Sequence, residues 1–271
     1  MSRHLVNYVL TAARRDKIMM VLVLMTAILA SVAIFMGAAT VTERQSFVLV
    51  LGAGGFRFLG AAGIVLFCSF YIRRAFDSKE VEFLLARPIT RVSFLVSHAV
   101  AFTIIALVVA LIMTLPVLAL GGAHAGIFVW GASLAVECSI MALVALFFSM
   151  VLSSAAGSAL AAFGFYALAR MSGTLIGIAS LPPSNWAFAI LSNIMKILSI
   201  LIPRLDLMSQ TSWLIYGVEG TAGVKFMPDT SSYAYWLSAH LGLAGFILLQ
   251  GVIFGLLLLA AAYSDFSRRR F

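Results

Sequence analysis

Six long apolar runs, divided by short polar stretches, organise this chain. They cover about 18–39, 57–73, 92–120, 127–152, 156–180 and 236–263. A helix needs about 20 predominantly apolar residues to cross a bilayer. The pattern therefore predicts an all-α integral membrane protein with six transmembrane helices. The second run is the least regular. Phe47–Leu51 is too short to cross and gives way to Gly52-Ala53-Gly54-Gly55, so this span is expected to begin near Arg57 and end at Arg73. The third run is long enough to tilt or to project from the bilayer. Residues 121–126 form a short turn without Lys or Arg, and Ser153-Ser154 is a tight turn between the fourth and fifth spans.

Two further stretches are apolar without reading as spans. In 1–17, Leu5, Val6, Val9, Leu10 and Ala13 share one helical face, and Arg3, Asn7, Thr11 and Arg14 the other. That amphipathic pattern predicts a helix lying in the membrane interface. The run behind it exceeds a signal-peptide core, so this leader is expected to stay attached. The region 181–235 opens on Leu181-Pro182-Pro183 and holds a sixteen-residue apolar stretch at 187–202, marked by Ser192, Lys196 and Ser199 at helical spacing. It is short for a span. An interfacial or re-entrant helix on the outer side is expected there, ended by Pro203. Trp186, Trp213, Tyr233, Tyr235 and Trp236 suit an aromatic belt at that surface.

Composition agrees with the pattern. The 271 residues are 63% hydrophobic and 10% charged, with mean hydropathy +1.09, far from a soluble domain. Cys68 and Cys138 both lie within apolar runs, so no disulfide framework is implied. The net charge of +8 acquires meaning from its distribution. With the N-terminus inside, Arg3, Arg14, Arg15, Lys17, Arg73, Arg74, Lys79, Arg87, Arg91 and Arg268 to Arg270 put twelve cations inside. Arg44, Lys196, Arg204 and Lys225 put four outside, and Arg57 and Arg170 fall within or beside spans. The positive-inside rule then places both termini in the cytoplasm of a multi-pass inner-membrane protein. No nucleic-acid partner is implied.

Between the second and third spans lies a polar island, Phe76-Asp77-Ser78-Lys79-Glu80-Val81-Glu82-Phe83-Leu84-Leu85-Ala86-Arg87-Pro88-Ile89-Thr90-Arg91. It predicts a compact helix over about 77–88. Asp77 is the expected N-cap with Glu80 three residues on as a capping box, and Pro88 stops the helix. Val81, Leu84 and Leu85 make one apolar stripe. This stretch resembles the cytoplasmic coupling helix of type-2 ABC exporter permeases, in which an acidic residue, a Leu-Leu pair and a Pro-x-x-Arg ending dock into the ATPase subunit. Here these are Glu80 or Glu82, Leu84-Leu85 and Pro88 to Arg91, with Phe83 alongside. Pro203-Arg204-Leu205-Asp206 and Trp213 to Gly217 resemble the family's outer helices before its last span. The resemblance implies an interface helix at 1–17, a coupling helix at 75–90 and an outer region at 181–235. It also implies a permease that acts with a second permease subunit, expected to be an identical copy, and two cytoplasmic ATPase subunits. ATP and Mg belong to those partners. Substrate and direction stay open, as does a periplasmic accessory protein.

Two charges sit where lipid makes them costly, Glu137 in the fourth span and Arg170 in the fifth. Glu137 precedes Ser153 by sixteen residues and Arg170 follows Ser154 by sixteen, so in a helical hairpin both lie about 24 Å from the turn. They read either as a pair locking the hairpin or as contacts on a transport path. Motifs for catalysis are missing: the chain has no Gly-Lys dipeptide for a phosphate loop, no His-Glu-x-x-His and no Gly-x-Ser-x-Gly. The expectation is a non-enzymatic subunit. Small-residue spacings at Ser154/Ser158, Gly173/Gly177 and Gly251/Gly255 permit close helix approach. Two rival readings are kept: an ABC-type machine passing mechanical work to a periplasmic partner, and an ion-coupled carrier or channel using Glu137 and Arg170.

Overall fold

The computed structural model describes residues 2–40, 43–81, 90–122, 124–179, 186, 188–190, 193–194, 202–209, 211–216 and 233–268. Among these there is no strand. The helices are α1 Arg3–Arg15, α2 Lys17–Ala38, α3 Arg44–Asp77, α4 Arg91–Gly121, α5 Ala125–Val151, α6 Ala155–Ala179, α7 Leu205–Met208, α8 Ser212–Tyr216 and α9 Tyr233–Arg268. Five are long and apolar enough to cross a membrane: α2, α3, α4, α5 and the 245–268 part of α9. With broad apolar surfaces such as Phe35 (75% exposed) and Leu256 (63%) turned outward, the chain is a multi-pass membrane protein.

The second helix departs from its sequence pattern. It starts at Arg44 and runs unbroken for 34 residues through Gly52-Ala53-Gly54-Gly55. At 1.5 Å per residue it is about 51 Å long, well beyond the roughly 30 Å hydrocarbon core. Its glycines make room for α2. A Cβ on Gly55 would come within 2.7 Å of the Leu29 side chain, and one on Gly63 within 2.5 Å of Leu22. In lipid, close packing of small residues rewards a glycine that in water would only weaken the helix. The last helix differs as well. It breaks at Gly242 (φ 70°, ψ 162°), which shifts its spanning part to 245–268 rather than 236–263.

At the centre stands α5, packed against α3, α4, α6, α7, α8 and α9. Its apolar window is 67% buried, against 17% for the peripheral α2. One end of the bundle gathers the cations. Arg74 reaches Asp16 at 3.5 Å, Arg73 Nη1 donates to the Leu152 carbonyl (3.4 Å) and Arg91 Nη1 to that of Ser267 (2.7 Å). Phe94 stacks on Phe266 at 5.6 Å between centroids. The start of α1 is tied in by the Ser2 amide, which donates to Ser97 Oγ at 2.9 Å.

Three expectations change at this end. The apolar face of α1 (Leu5, Val6, Val9, Ala13) is buried, with α4 the main helix packed against it, so the chain itself covers what the pattern assigned to lipid. Asp77 ends α3, held by Arg73 at 3.1 Å, instead of capping a new helix; Lys79 adopts φ 58° and helical geometry resumes at Glu80-Val81. Val81 is 1% exposed, within the chain's own core. The coupling-helix residues 82–89 lie outside the described residues.

Candidate functional site

The charged centre of the bundle is built on α5. Trp130, Ser133 and Glu137 recur at i, i+3 and i+7, one stripe of that helix, and all three are buried. Arg57 of α3 enters the stripe with only 1% of its side chain exposed. Its Nη1 donates to Glu137 Oε2. Its Nη2 donates to Ser133 Oγ (2.8 Å) and approaches the Trp130 carbonyl (3.3 Å). The guanidinium lies over the Trp130 ring, 4.9 Å from its centroid. From α6, the Tyr166 hydroxyl donates to Glu137 Oε1 (2.9 Å) and Arg170 Nη1 stands 3.8 Å from the same oxygen. One carboxylate thus meets two guanidiniums, and the cluster carries a surplus positive charge.

The 202–209 segment is fastened to this centre. Ser133 Oγ is 2.7 Å from both the Trp130 and Met208 carbonyls, and its one proton serves one of them at a time. Arg170 Nη1 donates to the Leu205 carbonyl at 3.2 Å. Next to it, Arg204 binds Asp206 side-on through Nε (2.9 Å) and Nη2 (2.8 Å), and Ser172 donates to Asp206 at 2.9 Å. Gly173 lies against that carboxylate and Gly126 against the Trp213 carbonyl; a Cβ at either position would overlap the oxygen. Trp213 is 3% exposed, so it belongs to the core and not to an aromatic belt. Ser192, Lys196 and Ser199, the polar stripe of 187–202, lie outside the described residues.

Sequence spacing brings Glu137 and Arg170 to equal depth, and their ends are 3.8 Å apart. It left out Arg57, the nearer cation. The same measure would have found it. Arg57 precedes Arg73 by sixteen residues, and Arg73 touches Leu152 beside the Ser153-Ser154 turn, so all three charges share one level. The Nε of Arg57 and the Nε1 of Trp130 are buried without a hydrogen-bond partner. A charged pair withdrawn from water persists only where partners satisfy it, and the bonds to Ser133, Tyr166 and two carbonyls supply most of that. Neither a protein-family model nor a curated protein sequence matches this chain. The arrangement must speak for itself.

At the opposite end, the residues expected to dock an ATPase are only partly described. Glu80 stands close enough to the Tyr8 hydroxyl of α1 to act on its ionisation through hydrogen bonding. That effect, then partial burial and the carboxylate's charge, raise the Tyr8 phenol above its usual value near 10. Arg91 opens α4 and turns toward the last carbonyls of α9, Phe266 (3.4 Å) and Ser267 (2.7 Å). Glu82, Phe83, Leu84, Leu85 and Pro88 lie outside the described residues. Among the described residues no group of three or more His, Cys, Asp or Glu side chains could hold a metal. Cys68 and Cys138 are both free and buried. His98 is buried, its Nδ1 2.9 Å from the Phe94 carbonyl and its ring beside Tyr71, Phe94 and Phe102.

Proposed function

We propose that this chain is the membrane-spanning permease of an ATP-binding cassette transporter, driven by ATP hydrolysed on a separate cytoplasmic subunit. The observation that carries the reading is the cationic end. There α1, the end of α3, the start of α4 and the end of α9 converge, and Glu80, where the coupling-helix sequence begins, acts on the Tyr8 phenol of α1. Movement imposed on that loop would reach four helices at once. In this reading α6 is the sixth span: 25 residues long and antiparallel to α5 across the tight Ser153-Ser154 turn. Both termini and the 73–91 loop then face the cytoplasm of the inner membrane, in accord with the distribution of Lys and Arg. A second permease copy, two ATPase subunits carrying ATP and Mg, and lipid complete the working unit.

The buried charges favour the same reading over an ion-coupled carrier. Glu137 is wholly buried, and each of its oxygens is already engaged, Oε2 by Arg57 and Oε1 by Tyr166. Transmission of work to a periplasmic partner remains the alternative within the class, because the outer segment is bonded directly to the bundle centre. The test is co-purification of the ATPase with the wild type and with Leu84→Asp/Leu85→Asp. Loss of the ATPase from a variant that still inserts in the membrane supports the coupling assignment. Undiminished binding overturns it.

A further inference from the structure

Of the charged side chains within the membrane-spanning helices, Arg57 is 1% exposed, Glu137 0% and Arg170 24%. Of these three, Arg170 is the one with an open side. Its Nη1 is engaged with the Leu205 carbonyl and faces Glu137. That leaves the Nε–Nη2 edge, the pair of parallel donors that grips an oxyanion side-on. Arg204 uses the same edge on Asp206, at 2.9 and 2.8 Å.

Thr174 lies one turn further along α6, on the same face, and is exposed. The other threonines inside described helices, Thr11, Thr26, Thr103 and Thr114, all turn the hydroxyl onto the carbonyl four residues back. The Thr174 hydroxyl makes no such bond among the described residues. Of the residues nearby on α6, Ala167 and Met171 are exposed.

Depth selects the ligand. Counted from the Ser153-Ser154 turn at 1.5 Å per residue, Arg170 is about 24 Å away and Thr174 about 30 Å, the thickness of the hydrocarbon core. With the turn at the near edge of the core, Arg170 lies about 6 Å short of the far edge and Thr174 at it, and a long Arg side chain there reaches outward toward the phosphates of the far leaflet. Arg170 included, the cluster holds two guanidiniums and one carboxylate, so an anion completes its charge. We propose that Arg170 and Thr174 form a binding site for the phosphate of an anionic lipid head group, in the leaflet opposite the cationic end of the bundle. A second copy of the chain on this face would set two Arg170 guanidiniums against each other across a twofold axis, which like-charge repulsion in lipid opposes. The inference rests on α6 crossing the membrane, as in the six-span reading, and not on ATPase coupling.

The experiment is thermal unfolding of the purified full chain in mixed micelles titrated with phosphatidylglycerol or with phosphatidylcholine, and in a separate arm with inorganic phosphate alone. Wild type, Thr174→Val and Arg170→Lys are compared. The cationic end is the same in all three, so its contribution to anionic-lipid binding cancels. The wild type should be stabilised by phosphatidylglycerol beyond phosphatidylcholine. Its apparent affinity should fall about threefold in Thr174→Val and about tenfold in Arg170→Lys, which keeps the charge and loses the fork. Equal affinity in wild type and Thr174→Val, a surface change that leaves the core intact, would overturn the site. Saturation by inorganic phosphate at the same affinity would overturn the lipid assignment, and ready disulfide dimerisation of Met171→Cys in a background lacking Cys68 and Cys138 would show the face covered by a second copy instead. Each of these leaves the ATPase co-purification result unaffected.

Discussion

Removing Arg57 should cost far more than removing Arg170, although both guanidiniums face the same carboxylate. Coulomb attraction falls only as 1/r, so the difference does not lie in the 3.8 Å of the Arg170 contact. It lies in what each change leaves behind. Arg57→Gln removes the guanidinium that Glu137, Ser133 and the Trp130 carbonyl all use, and leaves a carboxylate with no exposure at all to the Tyr166 hydroxyl and the longer contact with Arg170, whose side chain is partly open. Breaking a buried pair in this way costs about 3–5 kcal/mol. Arg170→Gln leaves Glu137 still bonded to Arg57 and Tyr166 and forfeits one bond to the Leu205 carbonyl, roughly 1 kcal/mol. For a chain of this size 1 kcal/mol moves Tm by about 2–4 °C, so the first variant should lose about 6–20 °C and the second only a few. Glu137→Gln should match Arg57→Gln. The apolar double replacement Arg57→Met/Glu137→Leu should recover most of the loss, because no unpaired charge remains between them. The assay is thermal unfolding of all five proteins in one detergent, followed by tryptophan fluorescence. Equal losses for Arg57→Gln and Arg170→Gln, or additive losses in the double replacement, would refute the reasoning.

Other outcomes follow from the packing and the topology. Gly126→Ala should destabilise by about 1–3 kcal/mol, because its methyl group would overlap the Trp213 carbonyl, whereas Gly164→Ala, with nothing within 4 Å, should be close to neutral; unfolding in detergent separates them. Tyr8 should titrate above its usual value near 10, and Glu80→Gln should bring it back down, as read by ultraviolet difference titration against Tyr8→Phe. Because the folded value is raised, the stabilisation from this interaction is present below the unfolded value near 10 and lost as pH rises through the folded one. Single cysteines at His124 and Ser153, in a background lacking Cys68 and Cys138, should react with an impermeant thiol reagent from opposite sides of the membrane, His124 from outside. The reverse pattern would invert the proposed orientation.

Hydropathy alone was enough to establish helices, a membrane and most helix limits: α2, α4, α5 and α6 fall within two residues of the apolar runs. That works because lipid leaves the backbone no partner but itself, so a long apolar run has one structural outcome. Depth was legible for the same reason. A constant rise per residue converts position into height, and so sets Glu137 level with Arg170. Azimuth was not. Which face of α3 carries Arg57 inward, and that this face meets Trp130, Ser133 and Glu137, depends on packing among helices that are apolar all round. Glycine misled the reading at 52–55 because its effect reverses between water and a helix contact: it loosens an isolated helix, yet at Gly55, as at Gly63 further on, it lets α2 settle onto α3. The amphipathic α1 was visible as a pattern, but whether lipid or the chain's own α4 covers its apolar face was settled only in three dimensions. The bonds from Ser133 and Arg170 to the Met208 and Leu205 carbonyls were likewise beyond the sequence, since a main-chain oxygen looks the same on every residue until the fold brings it to a donor.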